Sequence, residues 1–182
     1  MAHSHTHEEG CCSGHLIVAP STQQTLNELD FERGIWSSAV DGDSKDIQKK
    51  VDKGVDVNTK DSSGYSALHY ACRNGHTESV ELLVQYGADV NISTNSGTTP
   101  LHRAAYMGHT DIVTFLLKKG AKPLLCDSDG LTPLHKATEK GHTDVCKLIL
   151  SHCPESKEIS DKKGRQPKDF TSSSEILLLF SG

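Results

Sequence analysis

A block of 33 residues recurs in this chain without a gap, and that period constrains the fold more than any other feature. Gly64-Tyr65-Ser66-Ala67-Leu68-His69 returns as Gly97-Thr98-Thr99-Pro100-Leu101-His102 and again as Gly130-Leu131-Thr132-Pro133-Leu134-His135. Each block is followed at a constant offset by a Gly-His-Thr triplet: Gly75-His76-Thr77, Gly108-His109-Thr110 and Gly141-His142-Thr143. Repetition at such a period marks units that cannot bury an apolar face alone and therefore stack on copies of themselves.

Each unit reads as two short helices. Thr99 and Thr132 are good N-caps, with Pro100 and Pro133 at the first helical position, where a missing N–H costs nothing. Ser66-Ala67 does the same work in the block before. Gly75, Gly108 and Gly141 end this helix, because glycine takes the left-handed conformation cheaply. Thr77-Glu78, Thr110-Asp111 and Thr143-Asp144 then open a second helix, with threonine expected as the cap and an acid near the positive helix end. Apolar residues at helical spacing follow: Val80, Leu83 and Val84; Val113, Leu116 and Leu117; Cys146, Ile149 and Leu150. Gly87-Ala88-Asp89-Val90-Asn91 and Gly120-Ala121-Lys122-Pro123 supply exit turns.

These residues resemble the ankyrin repeat, whose Thr-Pro-Leu-His signature stands at Thr99–His102 and Thr132–His135. The resemblance covers roughly residues 31–170 and implies an all-α fold, an ankyrin-repeat solenoid of helix-turn-helix units joined by β-hairpin loops. Repeat 1 is expected at 31–63 as an N-terminal cap, followed by repeat 2 at 64–96, repeat 3 at 97–129 and repeat 4 at 130–162. Ile35, Ala39, Gly42, Ile47, Val51, Gly54 and Asn58 carry the worn first unit, with Trp36 in place of the histidine and Phe31 in place of the hairpin glycine. Gly164, Pro167 and Phe170 begin a truncated C-terminal cap at 163–182. Residues 1–20 read as a flexible His/Cys-rich tail, and 21–30 as a short leading helix with Leu26 and Leu29 facing the first repeat.

Composition excludes several functions. A net charge of −5 with no basic block argues against a partner bound through phosphate neutralisation, so no nucleic acid is expected. Neither G-x-x-x-x-G-K-[ST] nor G-x-G-x-x-G occurs. The longest apolar run, Ile176–Phe180, is too short to cross a bilayer and reads as a final helix folded onto repeat 4, the alternative being a membrane or partner-docking segment. Met1-Ala2-His3-Ser4-His5 has no secretory pattern, so the chain is expected inside the cell, in cytoplasm or nucleus, with Cys11, Cys12, Cys72, Cys126, Cys146 and Cys153 reduced.

The 11 histidines invite a metal or catalytic reading. Six are tied to the period, His69, His102 and His135 in one column and His76, His109 and His142 in another. Successive helices pack about 8–10 Å apart, so a column spreads along the solenoid and its members cannot converge on one ion. These imidazoles are expected to hydrogen-bond backbone and fix turns. Cys72 and Cys146 fall in helix-packing columns and are expected as buried, inert thiols; Cys126, at a hairpin, and Cys153, in place of an exit glycine, are candidates for exposure. No nucleophile has a base placed for it, so no catalytic residue, no cofactor and no metal are assigned. One alternative stands outside the repeats: His3, His5, His7, Cys11, Cys12 and His15 give the tail a zinc-capable composition.

The resemblance further implies a protein-binding groove formed by hairpin tips and the inner surface of the first helices. Carried onto this sequence, the candidate partner-binding residues are Tyr65, Tyr70, Arg73 and Asn74; then Thr98, Arg103, Tyr106 and Met107; then Asp129, Leu131, Lys136, Glu139 and Lys140. Tyr106 and Met107 are expected to adjoin Arg73 and Tyr70 in an aromatic-plus-arginine cluster, a composition enriched at binding hot spots. The function expected is that of an adaptor for a protein partner, with the chain itself a monomer. Asn58 and Asn91, each in an Asp-Val-Asn turn, resemble the hairpin asparagines that an oxygen-sensing hydroxylase modifies in ankyrin repeats.

Overall fold

The computed structural model describes residues 34–181. The tail, the leading helix at 21–30, Phe31 and the zinc alternative on His3–His15 lie outside the described residues. Four helix pairs follow one another: α1 (Ile35–Asp41) and α2 (Ser44–Asp52), α3 (Ala67–Asn74) and α4 (Thr77–Gln85), α5 (Pro100–Met107) and α6 (Thr110–Lys118), α7 (Pro133–Lys140) and α8 (Thr143–His152). Two 3-10 turns, Pro154–Glu158 and Pro167–Phe170, and a short α9 (Ser174–Leu178) close the C-terminal end. The first helices α1, α3, α5 and α7 pack in series, as do α2, α4, α6 and α8.

One continuous core runs through the stack. Ile35, Leu68, Leu101 and Leu134 are buried on the first helices; Ile47, Val80, Val113 and Cys146 fill an equivalent column on the second. Each such aliphatic side chain contributes about 2 kcal/mol by leaving water. Ala39, Cys72, Ala105 and Thr138 form the small-residue column that lets successive helices approach, and all four are buried. Burial pushes the Cys72 and Cys146 thiols up, which keeps them protonated and inert.

Helix starts follow the sequence for the first helices and depart from it for the second. Thr99 and Thr132 cap α5 and α7, and the histidine at the third helical position completes a reciprocal box: Thr99 N–H donates to His102 Nδ1 at 3.2 Å and Thr132 N–H to His135 Nδ1 at 3.1 Å. Ser66 and His69 repeat this at 3.1 Å. In the second helices the expected threonine caps are corrected: Thr77, Thr110 and Thr143 are the first helical residues, and His76, His109 and His142 occupy the cap position. The histidine stands there because its ring is needed elsewhere, as described next. The acids Glu78, Asp111 and Asp144 do lie in the first turn.

The two histidine columns join each unit to both neighbours. Because Nδ1 of His69, His102 and His135 accepts a backbone N–H, the proton of the neutral ring sits on Nε2. That Nε2–H donates forward, to the carbonyls of Thr98 (2.9 Å), Leu131 (2.9 Å) and Arg165 (3.2 Å). Burial, the largest cause, lowers the pKa of His69 and His102 to about 4 and lowers that of His135 as well. The other column donates backward: Nε2–H of His76, His109 and His142 reaches the carbonyls of Val40 (2.8 Å), Arg73 (3.1 Å) and Tyr106 (3.0 Å). The backward-reaching ring of His109 lies so close to Gly75 that a Cβ there would stand 2.7 Å from its Cε1, on a residue already at φ +80°.

Two asparagines fasten the exit turns. Asn58 Nδ2 donates to Gly87 O at 3.1 Å while its Oδ1 accepts Asp89 N–H at 2.8 Å; Asn91 bridges Gly120 O and Lys122 N–H at the same 3.1 and 2.8 Å. Leu124 takes this register position in the next unit and is 38% exposed. The hairpin loops are tight turns, not strands, among the described residues. Each closes on one backbone pair, such as Thr94 N–H to Thr98 O and Gly97 N–H to Thr94 O, both 2.9 Å. At the far end Ile176 is buried, while Leu178, 72% exposed, is not covered.

Candidate partner-binding face

The first helices and the hairpin turns together bear the residues expected to meet a partner. Between the turns at Thr94–Thr98 and Asp127–Leu131 lies a cleft of about 420 Å³. Six of the expected residues line it: Thr98, Arg103, Tyr106, Asp129, Lys136 and Glu139. Lys140 joins them by placing its ammonium 4.6 Å from the centroid of the Tyr106 ring. The exposed Lys140 has its pKa raised, first by its hydrogen bond to Tyr106.

The cleft holds one ion pair among the described residues. Lys136 Nζ meets Asp127 Oδ2 at 2.9 Å. Burial opposes ionisation of Asp127, but Lys136 and the N–H groups of Leu131 and Asp129 outweigh it and hold the carboxyl below its usual range. One unit back, Tyr65 and Tyr70 lie with ring centroids 5.7 Å apart, and Tyr70 donates its hydroxyl to Asp61 Oδ2 at 2.6 Å. Burial and that carboxylate both push the Tyr70 phenol up. The Arg103 guanidinium lies 4.9 Å from the Tyr65 ring centroid and donates from Nη2 to the Tyr65 hydroxyl.

Beside the expected cluster of Tyr106, Met107, Arg73 and Tyr70, two cation contacts form on this face: Arg103 lies on Tyr65, and Lys140 lies on Tyr106. Arg73 is exposed, and Met107, 44% exposed, stands at the end of α5. Asn74 is exposed and its Nδ2 donates to Val40 O at 2.9 Å, so it already serves the neighbouring unit. Leu131 departs most clearly from a contact role, since it is 8% exposed, with its carbonyl taken by His102. The residues the sequence did not single out are the hairpin acids Asp61 and Asp127, together with Ser96 and Ser128 on the cleft wall. Their signal was available in the shared register of Asp61 and Asp127, each nine positions before a helix residue that it engages.

Cys126 is exposed and Cys153 buried, and burial raises the pKa of both thiols. Among the described residues no three His, Cys, Asp or Glu side chains converge on a point where an ion could sit. No helix among them is long and apolar enough to cross a membrane.

Stacked helix pairs joined by hairpin turns define a helical repeat stack, and the chain belongs to the ankyrin repeat family: models for ankyrin repeats match residues 36–125 and 107–150. It is similar to ankyrin repeat domain-containing protein 39 from Bos taurus, 54% identical over 68 residues, and to that from Homo sapiens, 50% identical over 68 residues; in both cases the match spans 37% of this chain and 37% of the relative. It is also 36% identical over 52 residues to ankyrin repeat domain-containing protein 40 from Mus musculus, covering 28% of this chain and 14% of that protein. The ankyrin repeats indicate a module for protein–protein interaction.

Proposed function

We propose that this chain is a non-catalytic adaptor that binds one protein partner along the face formed by α3, α5, α7 and the hairpin turns between them. The observation that carries this reading is the convergence of Thr98, Arg103, Tyr106, Asp129, Lys136 and Glu139 on one cleft, with Tyr65 against Arg103 and Lys140 against Tyr106. Tyrosine and arginine bury large area at low entropic cost and dominate binding energy when they sit centrally. A further support is that each repeat histidine engages a backbone carbonyl of a neighbouring unit through Nε2, which leaves recognition to the rim. The adaptor acts as an intracellular monomer and takes neither nucleic acid nor membrane.

Proximity labelling in cells, followed by pull-down with Tyr106→Ala and Arg73→Ala combined, tests the reading. Capture of the labelled partner is expected to fall to background while the melting transition stays within the small shift of a surface change. Undiminished capture by a folded variant refutes the assignment of the face.

A further inference from the structure

The hairpin turns repeat a pairing that fails in the third unit. Asp61, Thr94 and Asp127 share one column of the 33-residue register, and Tyr70, Arg103 and Lys136 share the helix column nine residues later. At the turn leading into the second unit, Asp61 Oδ1 accepts the N–H groups of Ser63 and Tyr65, each at 2.9 Å, which leaves Oδ2 for the Tyr70 hydroxyl at 2.6 Å. At the turn leading into the fourth, Asp127 Oδ1 accepts Asp129 and Leu131 N–H at 3.0 and 2.9 Å, and Oδ2 meets Lys136 at 2.9 Å. Asp161 divides its oxygens in the same way, Oδ1 to the N–H of Lys163 and Arg165, both at 2.8 Å, and Oδ2 to the Arg165 guanidinium at 2.9 and 2.7 Å.

Thr94 has a single side-chain oxygen. It accepts Thr98 N–H at 3.1 Å and meets Ser96 Oγ at 3.0 Å, which preserves the turn but offers no charge to the helix residue above it. Arg103 accordingly enters no ion pair among the described residues, and its Nε–H is buried without an acceptor. Tyr65 holds the guanidinium in place, yet its hydroxyl is neutral and supplies no counter-charge. A half-buried cation lacking its counter-ion is an unfavourable state that an incoming carboxylate relieves, through the strong, planar pairing that arginine makes with carboxylates.

We propose that Arg103 is the anchor for a carboxylate of the partner: an aspartate or glutamate side chain entering the cleft between the turns at Thr94–Thr98 and Asp127–Leu131 supplies what Asp61 and Asp127 supply to the helices that follow them. The inference rests on the reading of this face as the docking surface. The neighbouring cations are already engaged, Lys136 by Asp127 and Lys140 over Tyr106. Asp129 and Glu139 on the cleft wall repel further negative charge, so the site takes one acid in an otherwise uncharged segment and disfavours an acidic tract.

The probe is a library of short random peptides displayed through their C-termini, so that any carboxylate selected is a side chain, panned on the full chain. Selected peptides are expected to share an Asp or Glu, and changing it to Asn or Gln lowers affinity about tenfold or more. Arg103→Gln is expected to do the same. Thr94→Asp is the second variant: it puts at this turn the residue type that Asp61 and Asp127 hold at the same register position. Thr94→Asp is expected to melt no lower than the parent, to shift the Arg103 Nε–H resonance, and to weaken peptide binding by a similar factor. Peptides that lose affinity for Tyr106→Ala but keep it for Arg103→Gln and Thr94→Asp overturn the anchor and leave the docking surface standing. Peptides indifferent to every change on this face, or no selected peptide at all, overturn both.

Discussion

Replacing Asn91 by alanine isolates the coupling between two units. The side chain makes two bonds across the interface, donating to Gly120 O at 3.1 Å and accepting Lys122 N–H at 2.8 Å. Both lie at the exposed edge of the stack, so water satisfies the freed carbonyl and N–H after the substitution. The cost is then the net value of two hydrogen bonds, about 1 kcal/mol each, and not the larger penalty of burying an unsatisfied group. A loss of about 2 kcal/mol corresponds to a fall in Tm of about 4–8 °C for a domain of roughly 150 residues. Urea and thermal melts of Asn91→Ala measure it directly. Asn58→Ala, with the same two distances, is expected to match it, whereas Asn95→Ala, which removes one bond to Ser62 O at 3.2 Å, costs about half. In a stacked array such losses fall on nearest-neighbour interfaces, so amides of α4 and α6 also exchange faster in Asn91→Ala. Equal stability of Asn91→Ala and Asn95→Ala refutes the clamp.

Two further substitutions and a titration probe the histidine columns. Gly75→Ala places a Cβ 2.7 Å from the His109 ring at φ +80°, so it adds displacement of the His109–Arg73 bond to the left-handed penalty and costs about 2–3 kcal/mol in thermal melts. Gly141→Ala, at φ +77° with nothing within 4 Å, costs only the left-handed penalty of about 1–2 kcal/mol; equal losses contradict the close approach. Stability is expected to be full above about pH 6.5 and to decline as pH falls towards 4. The unfolded histidines protonate near 6.5 and the folded His69 and His102 only near 4, so the unfolded state binds more protons in this window, at a cost of up to about 3 kcal/mol apiece. Urea midpoints that stay flat across that range contradict the buried neutral rings.

Much of the fold is written in the 33-residue spacing because the same backbone problem recurs in every unit. A cap, a leucine under it and a left-handed glycine are each local requirements, and Thr99, Leu101 and Gly108 meet them as their residue types suggest. The second-helix starts are hidden from the sequence for a non-local reason: His76, at the cap of α4, donates to the carbonyl of Val40, 36 residues away. The binding face was legible as a set of positions but not as a set of contacts. Arg103 and Tyr65 are 38 residues apart and meet only through the packing of adjacent units, which a one-dimensional period does not encode. Leu131 illustrates the converse, since a hairpin position that reads as rim is folded inward beneath the next turn.

Every acceptor used by the six repeat histidines is a main-chain oxygen. The residues that own those oxygens are Thr98, Leu131 and Arg165 on one side and Val40, Arg73 and Tyr106 on the other, a mixture of polar, aliphatic, cationic and aromatic types. The seam between units thus ignores the side-chain chemistry of the residues that own its acceptors. Mutation can rewrite the exposed ones among them while the architecture beneath holds, which is how one scaffold comes to carry unrelated specificities.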